Sequence, residues 1–327
     1  MKFEHFITTQ FSYRDPARFR PLSRLDTIFE SDPLNPKTLA QRFRLFETAC
    51  LPSVLAQSTQ DFSWILIIDR ALPPELRERL RDLVAGMRRV FLYEFEDHET
   101  TTGPRWLDRF LEGAPDYVLT TQMDDDDALP RGYCAALHQH IRDAAEAGPL
   151  PPLKFIGSRN ILQWDLACSE QAPLGWRSPW HMGGGVASCG FSVLSRVANR
   201  NFNSLKLSHS HADAYLDFSV PARHAGIERR RESFIQFFEG HGDSVGNWDP
   251  ADLFHDMGTD VEAVVMTNHG FNRQFARVHR TKADHQKVTG AESFPDVAID
   301  WACAEANAAH FSMPTWHRLY ASLKQKL

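Results

Sequence analysis

Cysteine is scarce in this chain: Cys50, Cys134, Cys168, Cys189 and Cys303 are the five, and no two of them stand in Cys-x-x-Cys spacing. An odd number without paired spacing argues against a disulfide framework or a zinc ribbon. Long apolar runs are missing too. The longest unbroken aliphatic-aromatic stretch runs from Trp64 to Ile68, far short of the roughly 20 residues a membrane-spanning helix needs. The N-terminal stretch Met1-Lys2-Phe3-Glu4-His5-Phe6-Ile7 carries charge where a secretory leader would be apolar. There is no positive excess, since 36 basic residues face 42 acidic ones for a formal net charge of -6. That balance argues against a protein that grips nucleic acid through its phosphates. Internal repeats and low-complexity stretches are absent. What remains is a soluble, cytoplasmic protein, with peripheral contact to a membrane-bound acceptor left open to a few exposed side chains.

The 327 residues, 43% hydrophobic and 24% charged, suffice for one large domain or two small ones. Phe3 to Thr9 reads as a short first strand, and the Pro-, Arg- and Asp-rich stretch from Ser12 to Pro36 as a long loop. Leu39, Phe43, Phe46, Ala49 and Cys50 recur at helical spacing, and Pro52 is expected to kink or restart that helix before it ends near Gln57. Trp64-Ile65-Leu66-Ile67-Ile68 is continuously apolar, which marks a strand covered on both faces, as in parallel sheets. A helix over Pro73 to Ala85, a strand over Arg89 to Phe95, a helix over Arg105 to Leu111 and a strand over Tyr117 to Thr121 continue the alternation. Repeated β-α-β order predicts an α/β fold with a doubly wound, mostly parallel sheet over residues 1–150. Gly148-Pro149-Leu150-Pro151-Pro152 then punctuates the chain, and a mixed second half covers 151–327 within one large domain.

Directly after the Tyr117 strand comes Met123-Asp124-Asp125-Asp126-Asp127-Ala128-Leu129-Pro130. Four adjacent carboxylates at a buried strand end repel one another, and a divalent cation or raised pKa values relieve the repulsion. In an open α/β sheet, ligands bind at the carboxyl ends of the strands. A plain alternative is an acidic helix cap, with Asp127 near the start of a helix that Pro130 helps to begin. One cap employs one Asp and leaves three unexplained.

Further along, His269 follows the apolar stretch Val261 to Met266, where a strand-end His could join carboxylates, diphosphate oxygens and water around Mn²⁺. A lone His, one of 15, is more often a structural or surface residue. Trp180 to Phe191 is the most glycine-dense stretch; Gly183 and Gly184 would let backbone approach a ligand, although a plain turn explains them as well. In His209-Ser210-His211-Ala212-Asp213-Ala214-Tyr215-Leu216-Asp217, the spacing of four puts Asp213 and Asp217 on one helix face. Either of them, or His211, could serve as a general base. A zinc reading of His209, His211 and Asp213 lacks a residue to close a tetrahedral shell.

The set Arg42-Phe43-Arg44-Leu45-Phe46-Glu47, Leu51 to Ser58, Asp61 to Asp69 and Met123 to Leu129 resembles the bacterial family described as putative rhamnosyltransferases, within the GT-A class of glycosyltransferases. The resemblance is strongest over residues 40–135 and returns near Val264-Val265-Met266-Thr267-Asn268-His269-Gly270-Phe271-Asn272. It implies that Asp124-Asp125-Asp126 is an Asp-x-Asp element, with Asp124 and Asp126, joined by His269, on Mn²⁺ or Mg²⁺ and Asp125 on the donor side. It implies that Asp69 meets the nucleotide base or ribose, where the plainer reading is a turn before Leu72-Pro73-Pro74, and that Thr8, Thr9 and Gln10 line the same pocket. The Glu-Asp pair expected to open a helix near Asp213 is missing, which leaves the stereochemical outcome open. The expectation is a metal-dependent glycosyltransferase moving a sugar from a nucleoside diphosphate sugar to a hydroxyl of a glycan, a lipid-linked acceptor or a protein. A metal-dependent phosphohydrolase and a non-catalytic nucleotide-sugar-binding module are the alternatives.

Overall fold

The computed structural model describes residues 1–14, 32–96, 99–100, 103, 105–182, 185–200, 202–207, 209, 232, 234–240, 242–269 and 285–324. Its centre is a seven-stranded sheet. β1 (Phe3–Phe11) lies between β2 (Ser63–Ile68) and β4 (Tyr117–Gln122), with β3 (Val90–Tyr93) outside β2, and these four run parallel. Every residue of β2 and β4 is buried; for β2 the continuous rather than alternating apolar run requires it. The predicted strands are found with ends shifted by a few residues.

The sheet does not stop at the Gly148 to Pro152 punctuation. β5 (Leu153–Gly157), β8 (Ser192–Arg196) and β9 (Phe254–Asp256) extend it in the order β3-β2-β1-β4-β8-β5-β9, with β8 antiparallel to both its neighbours. A second sheet of β6 (Asn160–Asp165), β7 (Trp176–His181), β10 (Val264–Asn268) and β11 (Gln286–Lys287) has the order β10-β6-β7-β11. One apolar core draws Ile7, Leu66 and Leu119 together with Ile156, Leu194 and Val264, so the two stretches of chain share their interior.

α1 (Pro36–Leu45) is capped by the Asn35 side chain on Lys37 N and passes into a π-helical turn, Phe46–Cys50, before α2 (Leu51–Leu55). Pro52 explains the turn. A proline has no N–H for the carbonyl four residues back, and the Thr48 carbonyl accepts instead from Asp300 N at 3.0 Å. The face of this helical stretch packs on the sheet through Phe43 and Phe46, whose rings lie edge-on to Phe11 at 4.8 and 5.2 Å, while Phe46 stacks on Trp64 at 5.8 Å. α3 (Pro74–Val84) and α4 (Tyr133–Ala147) follow, two further helices, Trp301–Asn307 and Met313–Lys324, lie near the C-terminus, and Trp106–Phe110 is a 3-10 turn where a helix was expected. All five cysteines are free. No helix among the described residues is long and apolar enough to cross a membrane.

Candidate functional site

Because β1, β2 and β4 are parallel, their carboxyl ends share one edge of the sheet. β4 leaves it with Met123 N donating to Thr8 O at 3.0 Å. The acidic turn follows, and the chain then bridges antiparallel to β10: Ala128 N reaches Val265 O and Val265 N reaches Ala128 O, each at 2.9 Å. This bridge carries the end of β10 to the acidic residues.

The four carboxylates have different employment. Asp127 accepts from Thr267 N at 2.8 Å. It is no helix cap: α4 begins at Tyr133, with Gly132 at its N-cap position and no side-chain cap. Asp126 Oδ2 takes His269 Nε2 at 2.6 Å and Arg42 Nη1 at 3.0 Å. Asp125 Oδ1 takes the same Arg42 nitrogen at 2.6 Å, while its buried Oδ2 has no hydrogen-bond partner. Asp124, less buried than its neighbours, accepts from Gln122 Nε2 at 3.1 Å.

Electrostatics follows from this geometry. Burial, reinforced by Asp126 and Asp124 and opposed by Arg42, pushes the Asp125 carboxyl up to about 7. Burial raises Asp127 as well. For Asp126 burial also acts upward, but the His269 hydrogen bond and the Arg42 charge outweigh it and hold the carboxyl below its ordinary value. Burial lowers His269 despite Asp126. The arrangement is therefore an ionised Asp126 accepting from the Nε2–H of a neutral, fully buried imidazole, which also lies 5.8 Å from the Trp316 ring.

The residues expected to hold a divalent ion fit in part. Oxygen from Asp126 and nitrogen from His269 are suitable donors. Two ligands at about 2.1 Å and right angles lie about 3 Å apart, close to the separation that a proton now bridges. The orphaned Asp125 Oδ2 is one more oxygen unclaimed within the cluster. Asp124 does not converge with Asp126 and His269: the one trio of potential ligands within 4.8 Å among the described residues is elsewhere.

The other expected residues divide. Thr8 and Thr9 are buried, and their hydroxyls are engaged in the sheet, Thr8 with Thr121 O at 3.2 Å and Thr9 with Trp64 Nε1 at 3.0 Å. Gln10 is only half-buried. Asp69 makes the turn itself, accepting from Ala71 N at 2.8 Å, and takes Arg14 N at 3.2 Å on its other oxygen. His211, Asp213, Asp217, Gly183 and Gly184 lie outside the described residues. The sequence reading gave Arg42 no role. Its signal was there, because Arg42 is three residues after Leu39 and one before Phe43, on the stripe that faces the core.

Residues 6–148 match the model of a family described as "Putative rhamnosyl transferase", which bears out the resemblance noted in the sequence. No curated protein matches the chain significantly. Among solved structures, S. aureus TarS (residues 1–349) overlays at a TM-score of 0.26 and 13% identity, covering 48% of this chain and 36% of TarS. The nucleoside-diphosphate-sugar pyrophosphorylase of Vibrio cholerae RC9 gives 0.25 and 13%, over 68% of this chain and 80% of that one. The glycosyltransferase GlyE of Streptococcus pneumoniae TIGR4 gives 0.24 and 12%, over 100% and 64%. Scores this low carry no weight for function.

Proposed function

We propose that this protein is a glycosyltransferase that moves a hexosyl unit from a nucleoside diphosphate sugar to a hydroxyl of a glycan, a lipid-linked acceptor or a protein, acting in the cytoplasm or at the inner face of a membrane. The observation that carries the reading is the acidic turn Asp124 to Asp127 at the carboxyl edge of parallel strands, within the stretch that matches the family model. Rhamnose is the sugar that the family description points to.

Asp126 and His269 would hold Mn²⁺ or Mg²⁺, with Asp124 approaching from the more open side. Bound there, the ion would offset the charge that grows on the leaving diphosphate. The chain's own part begins with Arg42. Its guanidinium balances Asp125 and Asp126, so that a dianionic donor does not meet four bare carboxylates. To coordinate through Nε2 as a neutral ring, His269 would carry its proton on Nδ1 instead. The half-buried Gln10, and Asp69 beyond β2, would face the nucleoside. Gly183 and Gly184 are proposed to approach the donor sugar, and Asp213, Asp217 or His211 to take the proton of the acceptor hydroxyl.

Incubation with a panel of UDP-, dTDP- and GDP-sugars with and without Mn²⁺ tests the reading. Slow release of nucleoside diphosphate is the expected result. Release of inorganic phosphate would assign a phosphohydrolase, and saturable binding without turnover a binding module.

A further inference from the structure

The trio of potential metal ligands that does converge is remote from the acidic turn. His140 lies on α4, His255 on β9 and Asp260 just past β9, with one ligand atom from each within 4.8 Å of the others. β9 is the edge strand of the large sheet, and β8 and β5 separate it from β4. At about 4.8 Å per strand, that puts His255 roughly 14 Å from β4, the strand that leads into Asp124. The two clusters share no residue.

Two further observations make the trio more than a chance grouping of polar side chains. The His140 and His255 rings stack at 3.5 Å between centroids and 12° between planes, and His255 Nε2 is hydrogen-bonded to Asp260. His140 Nε2, by contrast, is buried and has no hydrogen-bond partner. A buried polar nitrogen left unpaired costs free energy unless something binds it. Nitrogen donors on two imidazoles and oxygen on one carboxylate form the three-protein-ligand set of an open zinc site, with ligand distances near 2.0–2.2 Å and a fourth position for water. Stacked rings aim their lone pairs side by side rather than at one point. The χ2 torsion of histidine is broad, and a modest ring rotation turns both toward a common ion.

We propose that His140, His255 and Asp260 form a zinc site that ties α4 to the edge strand β9. β9 has only three residues, too short to be held firmly by its ladder alone. An ion there would fasten the sheet edge to the helix that covers it, and its binding energy would appear as folding stability.

The test uses the full chain and zinc chloride. After dialysis against zinc and gel filtration, metal content is measured for the wild type, for His140→Ala, for His255→Ala and for the double variant Asp126→Asn/His269→Ala, which disables the acidic cluster. We expect one zinc per chain in the wild type and in the double variant, with a raised melting temperature when zinc is present. Affinity should fall at least about 10-fold in each single variant, since loss of even an outer partner of a ligand costs that much. Cobalt chloride in place of zinc should give intense visible bands of a tetrahedral ion, lost in His140→Ala. Should a histidine variant fail to fold, the exposed Asp260→Asn carries the test by the same affinity and spectral readouts. Wild-type protein that retains no zinc, zinc retained undiminished by folded His140→Ala or Asp260→Asn, or zinc lost only in the double variant would each overturn the proposal.

Discussion

Arg42 and Asp125 are eighty-three residues apart in sequence and 2.6 Å apart in space, joined inside the molecule by one guanidinium nitrogen that also reaches Asp126. A run of four carboxylates thus has a cation built into it. Removing one partner of a buried ion pair leaves an uncompensated charge and typically costs about 3–5 kcal/mol. Arg42→Ala should therefore lower unfolding free energy by about that much in urea titrations at neutral pH. Adding Asp125→Asn should restore part of the loss, since the two changes fall on one network and are not additive. Full additivity would mean that Arg42 does not balance Asp125.

Asp126→Asn keeps the size of the side chain and removes the charge that faces His269. Under the proposed function, it should abolish the dependence of UDP or dTDP affinity on Mn²⁺, and His269→Ala should weaken it, with both variants folded. Calorimetric titration with and without the ion measures this. A coordinating imidazole must be neutral, and burial holds His269 below its usual value. Metal-assisted affinity should then hold down to about pH 6.5 and decline only at lower pH. Unchanged metal assistance in Asp126→Asn would remove the acidic turn from the donor site.

Much of this arrangement could be read from sequence, and the reasons it could are local. Continuous apolarity at Trp64 to Ile68 gave a strand covered on both faces, the repeated β-α-β order made Tyr117 to Thr121 a parallel companion, and Pro52 gave a helix restart, found as a π turn. The helix cap suggested for Asp127 failed because the carboxylate is taken by Thr267 N from a strand 140 residues away, a distance no local rule spans. The charges that Arg42 meets, 83 and 84 residues away, were out of reach for the same reason. A periodicity argument places a residue on a stripe but does not say which charges that stripe will meet. Thr8 and Thr9 looked like strand-end ligands, yet β1 runs on beside β2 to Phe11, and Thr121 O and Trp64 Nε1 engage their hydroxyls.

Asp165, at the end of β6, supplies a pH dependence. Burial pushes its carboxyl from 3.8 up to about 7. The folded state then holds a proton between those values that the unfolded chain has released, so stability is fullest below about pH 4 and falls as pH rises toward 7. Asp165→Asn removes the titration. The variant should be more stable than the wild type at pH 8, by on the order of 2 kcal/mol, and flatter between pH 4 and 7. Equal slopes in the two proteins would show that Asp165 titrates alike in both states.

Gly190 holds the end of β4 from which the acidic turn departs. Its N–H donates to Gln122 O at 2.9 Å, and Gln122 N donates to Phe191 O at 2.7 Å, which fixes the end of β4 two residues before Asp124. It stands at φ +80, and an added Cβ would come within 2.7 Å of Tyr133 Oη and 2.8 Å of Tyr133 Cζ. Tyr133 cannot swing aside cheaply, because its hydroxyl donates to Gly190 O at 2.5 Å and its ring is fully buried. Left-handed backbone costs an ordinary residue roughly 1–2 kcal/mol, and overpacking adds about 1–3. Gly190→Ala should therefore lose about 2–5 kcal/mol. Gly132→Ala is the control: no atom lies within 4 Å of its added Cβ and its φ of -84 is ordinary, so its stability should stay within about 1 kcal/mol of the wild type. Chemical unfolding of the three proteins side by side decides the matter, and equal midpoints for the two alanine variants would show that the turn at Gly190 relaxes without cost.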